Sequence, residues 1–150
     1  LMRALIQRVS EARVDIAGQT VGHINRGYTV LLGIEEADDS SDVQWLSKKI
    51  ALMRLFSDED GKMNRSLSDV NGGILLISQF TLHALTAKGN RPSFIRAARP
   101  EQAIPLYEAM ISALKQEGIP VETGQFGADM QVHLCNDGPV SIWVDSRQRE

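Results

Sequence analysis

Two short stretches hold most of the polar chemistry this chain has to offer. In residues 77–82, ISQFTL, an apolar run turns abruptly polar, with Ser78, Gln79 and Thr81 set around Phe80. Hydroxyls and an amide of this kind can line the mouth of a pocket. Backbone N–H groups freed where such a strand ends are the donors that hold a developing oxyanion during ester hydrolysis. An ordinary strand end entering solvent would look the same; strict alternation would put Gln79 and Thr81 on one face and Ser78 and Phe80 on the other. In residues 136–141, NDGPVS, a corner interrupts a strand-like region that runs MQVHLC before it and VSIWVD from Val140. Asp-Gly alone would serve a hairpin turn. Pro139 adds a residue without a backbone donor just where the next strand should begin to pair, so the corner is rigid.

Other constellations carry less. The histidines His23, His83 and His133 are scattered, and only His133 has a soft-ligand neighbour, Cys135. Two apart on a strand, they share a face and would make half a zinc site; a core histidine beside a buried cysteine fits the same spacing. No CxxC pair, HExxH, Walker loop or GxGxxG occurs. Asn71, Gly72 and Gly73 lead into a strand, the wrong context for a phosphate loop that feeds a helix. Asp58, Glu59 and Asp60 read as a solvated loop tip. From residue 70 to residue 100 there is no acidic side chain, while Lys88, Arg91, Arg96 and Arg99 supply positive charge. That stretch is either a solvated basic loop or a phosphate-contacting face.

The elements that would position these residues can be read from periodicity. Residues 2–9 read as a strand, 14–16 and 20–24 as a hairpin around Gly18-Gln19, and 28–34 as a further strand. Ser40 or Ser41 is expected to cap a helix with Val43, Leu46, Ile50 and Met53 on one stripe. Residues 57–73 read as a long loop, 74–82 as a buried strand and 86–99 as the basic loop. A second helix carries Ala103, Leu106, Tyr107, Met110 and Leu114 and ends near Gly118, with Pro105 leaving its start open. Residues 121–123, 130–135 and 140–145 complete the strands. Two helices among about eight strands, clustered at both ends, indicate α+β rather than alternating α/β.

Length and composition set the frame. At 150 residues the chain reads as a single domain, with 43% hydrophobic residues, one cysteine and a formal net charge of −3. One cysteine excludes an intrachain disulfide and suits a reducing compartment. No apolar run approaches the roughly 18 residues of a membrane helix. Arg3, Gln7 and Arg8 would break the apolar core of a secretory leader, so the expected location is the cytoplasm; Leu1 ahead of Met2 reads as a processing remnant.

The two segments together, SQFTL at 78–82 and NDGPVS at 136–141, resemble the signature motifs of the D-aminoacyl-tRNA deacylases, the homodimeric proofreading enzymes once called D-tyrosyl-tRNA deacylases. The opening MRALIQRVSEARV, the stretch GNRPSF at 89–94 and the overall length are similar as well. The resemblance implies a mainly antiparallel, barrel-like sheet with two principal helices packed on it. It also implies a homodimer without metal or cofactor that hydrolyses the ester of D-aminoacyl-tRNA, and of mischarged glycyl-tRNA(Ala), in translation quality control. Carried over, Ser78, Gln79, Phe80 and Thr81 form the pocket floor, and Met130 lines the pocket. Gly138 and Pro139, joined by a cis bond and braced by Arg8, form a gate that enters the other subunit's site. An L-side chain would meet backbone there, whereas a D-side chain points elsewhere. Lys88, Arg91, Arg96 and Arg99 are expected tRNA phosphate contacts on charge alone. Thr81 could attack as a nucleophile; without a visible base, water assisted by the terminal ribose 2′-hydroxyl is the favoured reading.

Overall fold

The computed structural model describes residues Leu1–Glu150. Its central element is β1 (Arg3–Ile16). One edge of β1 pairs with β3 (Gly27–Gly33) and then with β2 (Gln19–Ile24); its other edge pairs with β8 (Gln131–Asp145), all antiparallel. Parallel pairing extends the sheet from β3 to β6 (Gly73–Ser78) and on to β7 (Val121–Thr123). The order is β2-β1-β3-β6-β7, with β8 on the far edge of β1. Val132 and Leu134 of β8 pack against a cluster holding Leu75 and Ile77 of β6, although these strands are not neighbours in the sheet. The sheet therefore curls toward itself into a barrel-like form. The architecture is α+β and mainly antiparallel, with the β3–β6–β7 segment parallel.

Two helices cover one face: α1 (Ser40–Leu52) and α2 (Pro100–Gln116). Leu46 and Ile50 of α1 and Met110 and Leu114 of α2 join Ala4, Ile6, Tyr28, Val30, Ile74 and Leu76 of the sheet in the larger core. Full burial of each such aliphatic side chain stabilises by about 1.5–3 kcal/mol before entropy is counted.

The structure departs from the sequence reading at several places, each for a local reason. The cap of α1 is Asp39, not Ser40 or Ser41: its carboxylate accepts from the Ser41 N–H while Asp42 accepts from the Asp39 N–H, a reciprocal box that a serine one position later cannot build. The first hairpin turns at Ala17 and Gly18, both at positive φ, one residue earlier than expected. Residues 57–73 are not all loop, since β4 (Phe56–Ser57) and β5 (Met63–Arg65) form a small ladder. The strand expected over 74–82 ends at Ser78, and Phe80–His83 is a 3-10 turn. Pro105 lies inside α2, where the carbonyl deprived of a partner belongs to exposed Glu101 in the first turn. The corner at 136–141 does not end a strand: both halves of β8 run on along β1.

Gly27 faces Gly73 across the β3–β6 ladder, and a Cβ at Gly27 would stand 1.9 Å from the Gly73 carbonyl oxygen. Backbone cannot yield there as a side chain can. Gly27→Ala is expected to destabilise by about 3 kcal/mol, the upper end for overpacking, lowering Tm by roughly 10 °C in thermal unfolding.

Candidate active site

The polar end of β6 becomes a floor because the chain turns sharply after Ser78. The Gln79 N–H still donates to the Leu32 carbonyl of β3 at 2.8 Å. From Phe80 the backbone coils into the 3-10 turn, whose first internal bond is Leu82 N–H to the Gln79 carbonyl. The N–H groups of Phe80 and Thr81 thus precede the first hydrogen bond of a helical turn and have no backbone acceptor. Phe80 itself is 54% exposed. The Gln79 side-chain amide donates to the Thr81 hydroxyl, so this pair is fixed on one side of the turn.

Gly33 lets the turn lie this close to β3. A Cβ there would approach the Leu82 Cβ to 2.9 Å, the Gln79 carbonyl oxygen to 3.0 Å and the His83 ring to 3.2 Å. Arg3 Nη1 donates to the Leu82 carbonyl at 2.9 Å and holds the turn from the β1 side. His83, only 2% exposed, does not line the cleft over this turn, and its Nδ1 lies 3.9 Å from Glu35 Oε2. Burial pushes its pKa below the ordinary histidine value, which favours the neutral ring. Neither His83 nor any carboxylate bonds the Thr81 hydroxyl, so the turn carries no general base.

A cleft of about 250 Å³ opens over this turn. Ser78, Gln79 and Phe80 line one side, and Met130 with Phe126 and Ala128 the other. Gly124 makes room for Met130, since a Cβ there would fall 2.4 Å from the methionine sulfur. Phe126, Gly127 and Ala128 were missed in the sequence; the signal was an aromatic residue in the otherwise polar loop after β7. Phe126 is also 6.0 Å, ring to ring, from Tyr107 of α2, whose hydroxyl donates to the Leu76 carbonyl.

The NDGPVS corner is a wide bulge. Gln7 pairs with Ser141 and Val9 with Asn136, so Asp137, Gly138, Pro139 and Val140 stand opposite Arg8 without β1 partners. The Gly138–Pro139 peptide is cis. Arg8 Nε donates to the Asp137 carbonyl at 2.9 Å and Nη1 to the Leu55 carbonyl at 2.6 Å. Asn136 closes the bulge from within, its Oδ1 accepting from the Val140 N–H at 2.8 Å. Gly138 has φ +140°, and a Cβ there would press on Val140 at 2.8 Å and on Arg8 Nη2 at 3.1 Å.

Ser78, Gln79, Phe80 and Met130 therefore come together, whereas Arg8, Gly138 and Pro139 do not join them within one chain. The bulge lies level with Arg8, which pairs with Tyr28 and through it with Ile74; Ser78 lies four residues further along β6, level with Leu32 and Ala4. Followed along the sheet surface, three strand spacings and four residues amount to about 20 Å.

Lys88, Arg91, Arg96 and Arg99 are all exposed and in no ion pair. Their loop is anchored to the floor by Phe94, which meets Phe80 edge-on at 5.2 Å. Reciprocal Leu85–Ser93 bonds and the Ala98 N–H to Ile34 carbonyl bond fix its ends. His133 and Cys135 share an exposed strand face, with His133 Nε2 3.6 Å from Asp15 Oδ2. They are not the buried core pair their spacing allowed, and no three His, Cys, Asp or Glu side chains gather to hold a metal.

Comparison with known proteins relates the chain as a whole to one family. A family model described as D-Tyr-tRNA(Tyr) deacylase covers residues 5–145. A D-aminoacyl-tRNA deacylase of Akkermansia muciniphila is 62% identical, over 99% of this chain and 100% of its own. A protein of the same description from Thermus aquaticus is 54% identical, over 99% and 97%. Among solved structures, a c-Myc DNA unwinding element binding protein superposes with a TM-score of 0.89 at 39% identity, over 95% of this chain and 97% of its own. A probable eukaryotic D-amino acid tRNA deacylase shares the fold, with a TM-score of 0.84 at 14% identity over 95% and 98%.

Gly33→Ala tests whether the floor depends on the placement of its turn. Displacement by about 1 Å is expected to lower the rate of ester cleavage by about 100-fold, while far-UV circular dichroism stays unchanged. An unaltered rate would show that the turn does not hold the reacting group.

Proposed function

The chain belongs to the D-Tyr-tRNA(Tyr) deacylase family, and we propose that it clears D-aminoacyl-tRNA, and mischarged glycyl-tRNA(Ala), through a site whose floor comes from one subunit and whose gate comes from another. The family is one of hydrolases, and the 62% identical relative carries the description D-aminoacyl-tRNA deacylase. The finer reading rests above all on the separation of bulge and floor in one chain, three strands apart and four residues along, about 20 Å when followed along the sheet. A gate that far away cannot screen an ester on its own floor. A second copy, turned about an axis across the exposed sheet face, brings each bulge to the other floor, which is the symmetric arrangement of a closed dimer. This dimer would act in the cytoplasm, where its tRNA substrate is found.

In this reading the N–H groups of Phe80 and Thr81 face the scissile carbonyl and stabilise the oxyanion as the ester is attacked. Met130 and Phe80 bound the space for the amino acid. The partner's Gly138 and Pro139 present backbone to the α-carbon, so an L-side chain collides while a D-side chain or a hydrogen does not. Arg8 acts on the gate by holding its base in place. Water is the attacking group, helped by the 2′-hydroxyl of the terminal ribose, and Thr81 orients Gln79 and the ester. The exposed cations Lys88, Arg91, Arg96 and Arg99 contact tRNA phosphates from the floor side. No step calls for a metal or cofactor.

The deciding assay follows release of tyrosine from D-Tyr-tRNA and L-Tyr-tRNA by the purified protein. Rapid loss of the D-ester with the L-ester spared is expected. Arg8→Ala should release the bulge and let the L-ester be cleaved. Adding an excess of Gly33→Ala protein, intact at the gate, should restore rejection of the L-ester through mixed dimers; a gate serving its own floor predicts no such rescue. Loss of neither ester, with tRNA still bound, would favour a nucleic-acid-binding protein without catalysis, the reading to which the name of the 39% identical structure lends itself.

Thr81→Ala separates the two chemical routes. With water as nucleophile, the variant is expected to keep a substantial fraction of turnover, within about tenfold of the unaltered protein. Abolished turnover with tRNA binding intact would make Thr81 the nucleophile, because removing an attacking hydroxyl costs far more than removing a positioning one.

A further inference from the structure

The last turn of α1 and its outlet present cations that nothing in the chain neutralises. Lys48, Lys49 and Arg54 are exposed, and neither they nor Arg149 takes part in an ion pair; Lys49 and Arg149 lie over the Trp45 ring at 5.6 and 4.1 Å, which leaves their charge uncompensated. A shallow cleft lined by Trp45, Lys48, Lys49, Leu52, Met53 and Arg54 contains no acidic side chain. It continues into a second cleft toward Trp143 and Arg149, where Glu150 is the exposed carboxylate and Asp145 is engaged by Arg3. Leu52, on the same helix face, is 65% exposed. A face with four cations that meet no carboxylate and a single free carboxylate, on a chain whose net charge is −3, suits a polyanion.

Its position says which polyanion. The Arg8 guanidinium bonds the Leu55 carbonyl at 2.6 Å and the Asp137 carbonyl at 2.9 Å, so the outlet of α1 and the base of the bulge are tied by one side chain. The Tyr28 hydroxyl donates to the Met53 carbonyl at 3.2 Å and fixes the same outlet from the core. Arg54 therefore moves with the gate, and wherever the gate goes these cations follow.

We infer that Lys48, Lys49 and Arg54, flanked by Arg149, form a phosphate-contacting face for the acceptor arm of the tRNA whose ester sits on the partner's floor. This rests on the deacylase reading and its two-subunit site. The ester then lies between two basic surfaces from different chains. The loop bearing Lys88, Arg91, Arg96 and Arg99 is fixed to the floor through Phe94 and Phe80, and the α1 outlet is fixed to the gate. Phosphate contacts of this kind position the nucleic acid without reading sequence, which suits an enzyme acting on many tRNAs.

The test compares two esters, D-Tyr-tRNA and D-tyrosyl-adenosine, which has the reacting ribose but no acceptor arm. In the variant K48E/K49E/R54E, kcat/KM for D-Tyr-tRNA is expected to fall at least about tenfold near 0.1 M salt, mainly through KM. The slope of its logarithm against log salt should become shallower by about two to three units, the expected scale for three lost phosphate contacts. Cleavage of D-tyrosyl-adenosine should stay unchanged, as should both substrates with Lys115→Glu at the far end of α2. The neutral variant K48Q/K49Q/R54Q should show a smaller loss, again for the tRNA ester alone. An unchanged tRNA rate and salt slope would overturn the inference, as would equal losses on both esters in both variants. If the unaltered protein cleaves neither ester, the deacylase reading itself fails, a result separate from either of these.

Discussion

The arrangement depends on one guanidinium. Arg8 sits on β1, the strand that pairs with three others, and its side chain is only 12% exposed. Opposite it, four residues of β8 leave the ladder. Such a segment would ordinarily move as a loop. Here its first carbonyl is taken by Arg8 Nε, and the same guanidinium reaches Leu55 through Nη1. A planar fork of donors can bridge two carbonyls at fixed angles, which the single ammonium of lysine cannot. Bonds from a charged donor are worth about 1.5–3 kcal/mol each, enough to keep a short bulge in one conformation. Asn136 and Gly138 complete the constraint: one closes the bulge with its own amide, and the other removes the Cβ that would push Arg8 away.

The proposed division of the site follows from that tether. The sheet carries the floor at the C-terminal end of β6 and the bulge four residues back and three strands across. Neither can slide toward the other, because the β1–β3 and β3–β6 ladders fix their register and Gly27 against Gly73 admits no slack. Oligomerisation is then part of the proposed chemistry, and each chain contributes a different half of each site. The helices lie on the opposite face of the sheet from Leu5, Leu31 and Trp143, of which Trp143 is 51% exposed and is available to a second copy in the proposed dimer.

Much of this was legible in the sequence where the signal was local. The polar break at Ser78 and the Gly-Pro corner stood out because each violates the strand pattern around it. The continuity of β8 was not legible: Asp-Gly-Pro is turn chemistry by every local rule, and only pairing with β1, more than 120 residues away in sequence, makes it a bulge. The 3-10 turn was hidden because FTLH suits a strand as well, and Gly33, whose missing Cβ admits the turn, lies some 45 residues upstream. Lys48, Lys49 and Arg54 did not register as a basic face, since acidic residues flank them in the chain. Asp42 is turned inward to Ser146 and Arg147, and Asp58 accepts from its own loop, so neither screens them.

The floor and the gate share a property that shapes how the site can be altered. Both present backbone: N–H groups at Phe80 and Thr81 on one side, the Gly138–Pro139 segment on the other. No titratable group stands at the floor, and the nearest histidine is buried against Glu35. Rate enhancement in such a site comes from fixed dipoles and placement, not from a side chain that must hold the right protonation state. Backbone cannot be deleted by substitution, only displaced. The residues that matter most are then those that permit close approach, Gly33 under the turn and Gly138 in the bulge, and those that hold the backbone still, Arg3 and Arg8. A gate of backbone is also indifferent to the identity of the D-side chain, because nothing in it contacts that side chain by type. On the proposed reading, breadth of substrate and rejection of the opposite hand would arise from the same construction.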